Sequence, residues 1–503
     1  MQHENKFCKK ITNMLSRKEK LVEQMKGLPE MPPALNRIPD QAQKIHLIAV
    51  CGTAMGALAS MLKDMGYAVT GSDQNVYPPM SHFLLQKGIV LKEGFSGENI
   101  TYGPDLVVVG NAVLRDNPEV EMMNRMGIPY CSMPQAVNHF IVAGKKSILI
   151  TGTHGKTTTS AIIAWLLFKA GLDPSFVIGG ILKNFSSNYR LGKGPYVVIE
   201  GDEYDTAYFD KGPKFLHYDP AIAVLTSVEF DHADIFKDLA QVKAAFGVFV
   251  SRMSSESKLL ATDNDCNVDE LVAQCGCRVE RYGRDPGSSW RMAAESIAPP
   301  WTKFQIFQGE NSYHRFKTRM MGTHNLLNTL AAIAVAEHLK ISKPMIAEAL
   351  EGFEGIKRRQ EIRGEKRGII VMDDFAHHPT AVRETIRAVK PFCRKGRLVA
   401  VFEPRTNTSM RNIFQDVYPL SFDEADLICI RKPPLLKKVP PAEWFSSEKL
   451  VADLKKQGRD AYFFEDTDSI IDFLVDTARP GDVVLIMSNG GFDNIHERLL
   501  KAL

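Results

Sequence analysis

Residues 147–170 run from a short apolar stretch, Ser147-Ile-Leu-Ile150, through Thr151-Gly-Thr-His-Gly-Lys-Thr-Thr158, into the helical pattern of Ser160-Ala-Ile-Ile-Ala-Trp-Leu-Leu-Phe-Lys-Ala170. A buried strand that feeds a helix through a glycine-bounded turn belongs to a parallel sheet covered by helices. The turn also has a chemistry. Gly152 and Gly155 let backbone N–H groups converge on phosphate oxygens, Lys156 supplies a mobile cation, and the Thr157 hydroxyl can ligate magnesium. Thr153, His154 and Thr158 complete the loop. It is shorter than the common Gly-x4-Gly-Lys-Ser/Thr pattern, because Ile150 occupies the first glycine position.

The same alternation of short apolar runs and helical stretches starts at Lys44 and lasts to the C-terminus. Residues 45–51 lead into Gly52-Thr-Ala-Met-Gly56 and a helix, and residues 67–73 and 105–111 are further strands. Residues 196–203 and 221–232 read as strands of a second unit. Beyond the arginine-rich Gly355-Ile-Lys-Arg-Arg-Gln-Glu-Ile-Arg-Gly364, residues 368–379, 397–404 and 482–491 build a third. A chain of 503 residues fits about three domains at roughly 100–200 residues each. The expected division is an extension at 1–44, then α/β domains at 45–144, 145–355 and 356–503.

In the extension, Ile11, Met14, Leu15, Leu21, Val22 and Met25 recur at helical spacing among lysines before Pro29, Pro32, Pro33 and Pro39 break the pattern. This reads as a docking helix plus a linker. The net charge of +3 is small beside 62 basic and 59 acidic side chains, so nothing favours a nucleic-acid partner. No apolar run is long enough to cross a bilayer, the start lacks the core of a signal peptide, and the eight cysteines are scattered. A cytoplasmic enzyme with free thiols and no membrane partner is expected, with a monomer sufficing.

Gly52 and Gly56 lie between a strand and a helix, where backbone amides can approach a diphosphate, and Asp73 ends the next strand, where a carboxylate can accept from ribose hydroxyls. Asn111 ends a later strand of the same unit. Glu200 follows a strand in Glu200-Gly-Asp-Glu-Tyr-Asp205, and Asp231-His232 ends another. A carboxylate and a neutral imidazole beside the loop can hold a metal, although acids at a strand end can also simply cap a helix.

Taken in order, Gly152-Thr-His-Gly-Lys-Thr157, the acid cluster after its strand, Glu229-Phe-Asp-His232, Gly322-Thr-His-Asn-Leu-Leu-Asn328, the Lys-Arg-Arg stretch at 357–359 and Asp373-Asp-Phe-Ala-His-His-Pro379 resemble the Mur ligase family. The resemblance runs from about Lys44 to the C-terminus. It implies a Rossmann-like N-terminal domain, a central P-loop ATPase and a Rossmann-like C-terminal domain. It implies ATP and Mg2+ as cofactors, with Lys156 and Thr157 on the phosphates and metal. Glu200 and His232 would be metal ligands, Asn325 and Asn328 would meet adenine, Asp374 the ribose, and Arg359 the γ-phosphate. The implied reaction is carboxylate activation as an acyl phosphate, followed by capture by an amine. Several relatives carry a carbamylated lysine on the segment after the histidine; here that segment places Phe246, not Lys243, near the site, and no carbamate is expected.

Within the family, the loop Gly-Thr-His-Gly-Lys-Thr-Thr resembles the branch that adds L-alanine to UDP-N-acetylmuramate. The longer segments Gly71–Met80, Asp202–Lys211, Val228–Phe236, Phe402–Asn407 and Met487–Phe492 resemble the branch that attaches L-Ala-γ-D-Glu-meso-diaminopimelate to it. Alanine adders show a stretch like Phe-Gln-Pro-His-Arg-Tyr-x-Arg where this chain has Phe402-Glu-Pro-Arg-Thr-Asn-Thr-Ser409. Arg405, Asn407 and Asn489 are therefore expected to contact a longer, multiply carboxylated amine donor. His232, His377 and His378 are all candidates for the base that deprotonates the amine.

Overall fold

The computed structural model describes residues 33–76, 80–263, 265–433 and 440–503. The helix expected in the extension lies outside the described residues; Pro33–Leu35 form a single 3-10 turn. The chain forms two compact units. One comprises the residues up to His139 together with Thr206–Lys211, and the other comprises Phe140–Asp205 with Gly212–Leu503.

In the first unit five strands run parallel: β1 (Lys44–Ile48), β2 (Ala68–Asp73), β3 (Val90–Glu93), β4 (Leu106–Val109) and β5 (Tyr130–Ser132), in the order β3-β2-β1-β4-β5. Chain order reverses between β1 and β4, and the crevice at their carboxyl ends is where ligands of such sheets sit. The β1 burial pattern, one exposed residue followed by four buried ones, reflects cover on both faces. Residues Thr206–Lys211 belong to this unit although they lie far along the chain, and the Phe209 ring meets Tyr130 edge-on at 5.0 Å.

The second unit carries two sheets. The larger has ten strands: β6 (Lys146–Thr151), β7 (Ser175–Leu182), β8 (Ser187–Arg190), β9 (Tyr196–Gly201), β12 (Ile222–Leu225), β13 (Lys258–Thr262), β14 (Arg278–Gly283), β15 (Trp290–Ala298), β16 (Trp301–Gln308) and β17 (Asn311–Thr318); β10 (Asp205–Ala207) and β11 (Asp210–Pro213) pair as a separate ribbon. Its parallel centre, β13-β12-β6-β9-β7, continues into an antiparallel β15–β17 meander. Two helices pack over it, α1 (Lys156–Lys169) and α2 (Thr323–His338). Ile162, Ile163 and Leu166 of α1 and Leu330 and Ile333 of α2 join Ile148 and Ile150 in one core. Each such side chain contributes about 1.5–3 kcal/mol on full burial, which fixes where the loop before α1 must stand.

The smaller sheet has β18 (Glu361–Lys366) antiparallel to β19 (Ile369–Asp374), then β20 (Leu398–Phe402), β21 (Leu427–Arg431), β22 (Ala461–Phe464) and β23 (Val483–Met487) in parallel, ordered β18-β19-β23-β20-β21-β22. The expected class, three α/β parts in series, is what the chain builds.

Candidate active site

The loop between β6 and α1 is built for glycine at two positions. Gly152 has φ 124°, and a Cβ there would lie 2.3 Å from Thr226 Oγ1; Gly155 has φ 81°, and a Cβ would lie 2.4 Å from Asn328 Oδ1. Gly155 is the N-cap of α1 and offers no side chain to the first-turn N–H groups, so these donors face the loop cavity. The loop is tied down by Thr153 N donating to Ser227 O at 2.9 Å and by His154 N donating to Ser227 Oγ at 3.0 Å.

Lys156 does not reach outward. Its Nζ donates to Gly152 O and to Glu203 Oε2, both at 2.7 Å. Burial disfavours the ammonium, but Glu203, Asp202 and Glu200 outweigh it and raise its pKa. Glu203 also faces His232 Nε2 at 3.2 Å, so one buried carboxylate joins the loop lysine to the histidine at the end of the next strand region. His232 takes a left-handed φ of 54°, held by Asp231 Oδ1, which accepts its N–H at 2.7 Å, and by Ile235 N donating back to its carbonyl at 2.8 Å. Such strain, about 1–3 kcal/mol, collects at functional positions. Burial works against protonation of His232, yet Glu203 and Asp231 raise its pKa above the ordinary value.

Thr157 and Glu200 are in direct contact: Thr157 Oγ1 donates to Glu200 Oε1 at 2.7 Å, and Gly179 N donates to the other oxygen at 2.7 Å. Burial, and Asp202 nearby, raise the pKa of Glu200. A hydroxyl beside a carboxylate is the hard oxygen pair that magnesium prefers, so these two residues fit the ion. His232 engages Glu203, which also accepts from Lys156 Nζ, instead of Glu200. Glu203 is the residue that sequence reasoning left unassigned. In the run Glu200-Gly-Asp-Glu203 the chain leaves β9 at Gly201, so strand alternation no longer tells which acid points inward. Phe246, in the helix Leu239–Arg252, is fully buried and stacks on Phe215 at 5.0 Å, while Lys243 ion-pairs with Glu270.

Asn325 and Asn328 sit on the first turns of α2. Asn325 Nδ2 donates to Gln360 Oε1 at 3.1 Å, and Gln360 N donates to Asp374 Oδ2 at 2.8 Å, so both asparagines and the aspartate belong to one network. Burial raises the pKa of Asp374, against the pull of Arg359. Beside them lies a cleft of about 340 Å³, lined by Lys183, Met320, Met321, Phe353, Arg359 and Gln360. The Arg359 guanidinium rests over the Phe375 ring at 4.9 Å, and no carboxylate among the described residues pairs with it. Its neighbour Arg358 is instead tied to the loop after β23, donating to Ser488 O and Gly490 O at 2.6 Å each.

Of the amine-side residues, Arg405 Nη1 pairs with the buried Glu403 at 3.2 Å and packs against Gly490, next to Asn489. Asn489 Oδ1 is buried without a partner among the described residues. Asn407 stands apart from them and donates to Asp234 Oδ2 at 3.0 Å. In the first unit Gly52 caps the helix Thr53–Asp64 with open space around it, and a Cβ on Gly56 would strike Met80 Sδ at 2.6 Å. The Asp73 carboxylate accepts from Cys51 N at 2.9 Å and Asn75 N at 3.0 Å, bracing the turn after β1; Asn111, just past β4, is exposed.

Residues 44–144 match the family described as "Mur ligase family, catalytic domain", residues 150–336 the "Mur ligase middle domain", and residues 358–490 the "Mur ligase, glutamate ligase domain". The chain is 39% identical over 461 residues to the UDP-N-acetylmuramate--L-alanyl-gamma-D-glutamyl-meso-2,6-diaminoheptandioate ligase of Escherichia coli (strain K12), covering 92% of this chain and 98% of that one. It is 33% identical to a UDP-N-acetylmuramate--L-alanine ligase of Desulforapulum autotrophicum, covering 91% and 98%. A solved murein peptide ligase from Psychrobacter arcticus superposes with a TM-score of 0.68 at 35% identity, covering 91% of this chain and 98% of that one. Matched by three of its domain models along the chain and 39% identical to one of its members over nearly the full length of both, the chain belongs to the Mur ligase family.

Proposed function

We propose that the protein joins the carboxylate of UDP-N-acetylmuramate to the amine of L-Ala-γ-D-Glu-meso-diaminopimelate, with ATP as the energy source and in the cytoplasm. The observation that carries this reading is the 39% identity to the tripeptide ligase, against 33% to the alanine ligase, each over more than nine-tenths of the chain. The replacement of the alanine-adding stretch by Glu403-Pro-Arg405, with Arg405 beside Asn489, supports it: the cationic and amide donors are rearranged, as a longer amine donor with several carboxylates requires.

In the reaction, the substrate carboxylate attacks the γ-phosphorus and ADP leaves; the amine nitrogen then attacks the acyl carbon and phosphate leaves. Lys156 and Arg359 neutralise charge on the transferring group, and the first-turn N–H groups of α1 hold the remaining phosphates. Thr157 and Glu200 would hold magnesium, which would supply further charge neutralisation to the phosphates. Asn325, Asn328 and the cleft beside Asp374 suit the nucleoside. The crevice bounded by Gly52, Asp73 and Asn111 suits the UDP diphosphate and ribose.

Incubation with UDP-N-acetylmuramate, ATP and an equimolar mixture of L-alanine and the tripeptide, followed by mass analysis, tests the reading. The tripeptide adduct is expected as the main product; an adduct with alanine alone would overturn it. In the same assay Lys156→Ala is expected to lower kcat by about 100-fold or more. Phosphate release unchanged by that substitution would remove the loop from the reaction.

A further inference from the structure

Around His154 of the phosphate loop lies a group of side chains to which the proposed reaction assigns no step. His154 of the loop, Glu229 after β12 and His378 each place a ligand atom within 4.8 Å of the others. His154 Nε2 is 3.5 Å from Glu229 Oε2, and His378 Nδ1 is 3.8 Å from the same oxygen. His378 Nε2 contacts Phe230 O at 3.1 Å, and a carbonyl can only accept, so that nitrogen carries the proton and Nδ1 holds the lone pair, which accepts from Thr380 N at 3.3 Å and would give up that long helix-cap bond to a cation. His154 Nε2 is buried with no hydrogen-bond partner among the described residues. Thr380 Oγ1 donates to Glu229 Oε2 at 2.7 Å and orients the carboxylate.

We propose that His154, Glu229 and His378 form a site for a late first-row divalent cation of the Zn2+ class, distinct from the Thr157–Glu200 pair. Two imidazoles and one carboxylate are a donor set such ions prefer and magnesium does not. Two of the three ligands already have the supporting contact that metal sites use: the second nitrogen of His378 donates to a backbone carbonyl, and Glu229 accepts from a hydroxyl. Ligand atoms of a tetrahedral ion lie about 3.3 Å apart, so the 3.5 and 3.8 Å separations exceed that by a few tenths of an ångström and the 4.8 Å bound by about 1.5 Å, shifts within the reach of the side chains. The charge states also suit. Burial opposes ionisation of Glu229, but His154 and Thr380 hold its pKa down at about 2, and burial keeps His378 at about 4 and hence neutral.

A cation here would fasten the phosphate loop to the residue that caps the helix Pro379–Val389, and so hold the nucleotide side and the amine side of the unit together. It would leave the Thr157–Glu200 pair free for magnesium.

The full-length protein, freed of metal with a chelator, is titrated with Zn2+ by calorimetry and with Co2+ by visible absorption. The background is Cys275→Ser with Cys277→Ser, because those two Sγ atoms, 3.1 Å apart, are rival soft ligands. One tight equivalent with tetrahedral Co2+ bands is expected, unchanged by excess Mg2+ and weakened at least tenfold by both His378→Ala and Glu229→Gln. Absence of a stoichiometric site, or a site unaffected by both substitutions, would overturn the proposal. So would a site lost on His232→Ala instead, which would place the ion beside Glu203. None of these readings requires the ligation substrate to be known, so they stand apart from the product assay.

Discussion

At the scale of single residues, Gly155 shows how little freedom the loop has. Its φ of 81° and the 2.4 Å approach of Asn328 Oδ1 leave no place for a methyl group. Gly155→Ala should cost about 1–3 kcal/mol in backbone strain, and displacement of the loop should lower kcat/KM for ATP by about 100-fold. Calorimetric melting and steady-state kinetics check both. The His324 ring is a second such point. Burial, with the Arg359 charge nearby, depresses its pKa to about 4, and its Nδ1 has no partner among the described residues. The unfolded chain takes up a proton near pH 6.5 and the folded chain only near 4, so this group's contribution is complete above 6.5 and is lost as pH falls toward 4. The span corresponds to about 3 kcal/mol. Denaturant titrations across that window should show a shallower acid loss for His324→Gln than for the parent. The sequence made Lys156, Thr157 and Glu200 legible because their spacing is fixed by strand, loop and helix. It did not show Glu203, because its orientation depends on how the chain turns after Gly201, or the partner of Asn407, because Asp234 is 173 residues away.

At the scale of elements, the alternating apolar runs predicted the parallel strands well, since a strand covered on both faces has to be apolar throughout. The excursion Thr206–Lys211 was less legible: its residues were visible as a motif, but their membership of the first unit depends on Phe209 meeting Tyr130, which no periodicity encodes. For the helix Leu239–Arg252 the sequence reached no further than placing Phe246, not Lys243, near the site. Its Asp238 caps the first turn, and Phe246 drives inward against Phe215 and Phe249. Phe246→Ala should destabilise by about 3–5 kcal/mol, measured by denaturant unfolding, because both aromatic neighbours would line the resulting cavity. A loss below 1 kcal/mol would mean that the helix does not depend on this contact.

At the scale of the whole second unit, four of the hydrogen bonds that join its larger sheet region to its C-terminal sheet region cluster together: Thr380 to Glu229, His378 to Phe230 O, Ala233 N to Thr408 Oγ1 and Asn407 to Asp234. All lie on the loop that carries His232, so assembly of the two regions and placement of that histidine are one event. Thr380→Val removes a hydrogen bond to a charged group, worth about 1.5–3 kcal/mol. It should lower kcat roughly tenfold while leaving KM for UDP-N-acetylmuramate unchanged; initial-rate kinetics with each substrate varied separate the two. The pairing of Lys156 with Glu203 has a consequence of its own. A loop whose ammonium already has a carboxylate counterion does not wait as a bare positive charge, and an arriving triphosphate has to trade places with that carboxylate. In the proposed reaction nucleotide capture would therefore be an anion exchange: small anions such as inorganic phosphate would gain little from it, and the released Glu203 would be left facing His232 as the nucleotide seats.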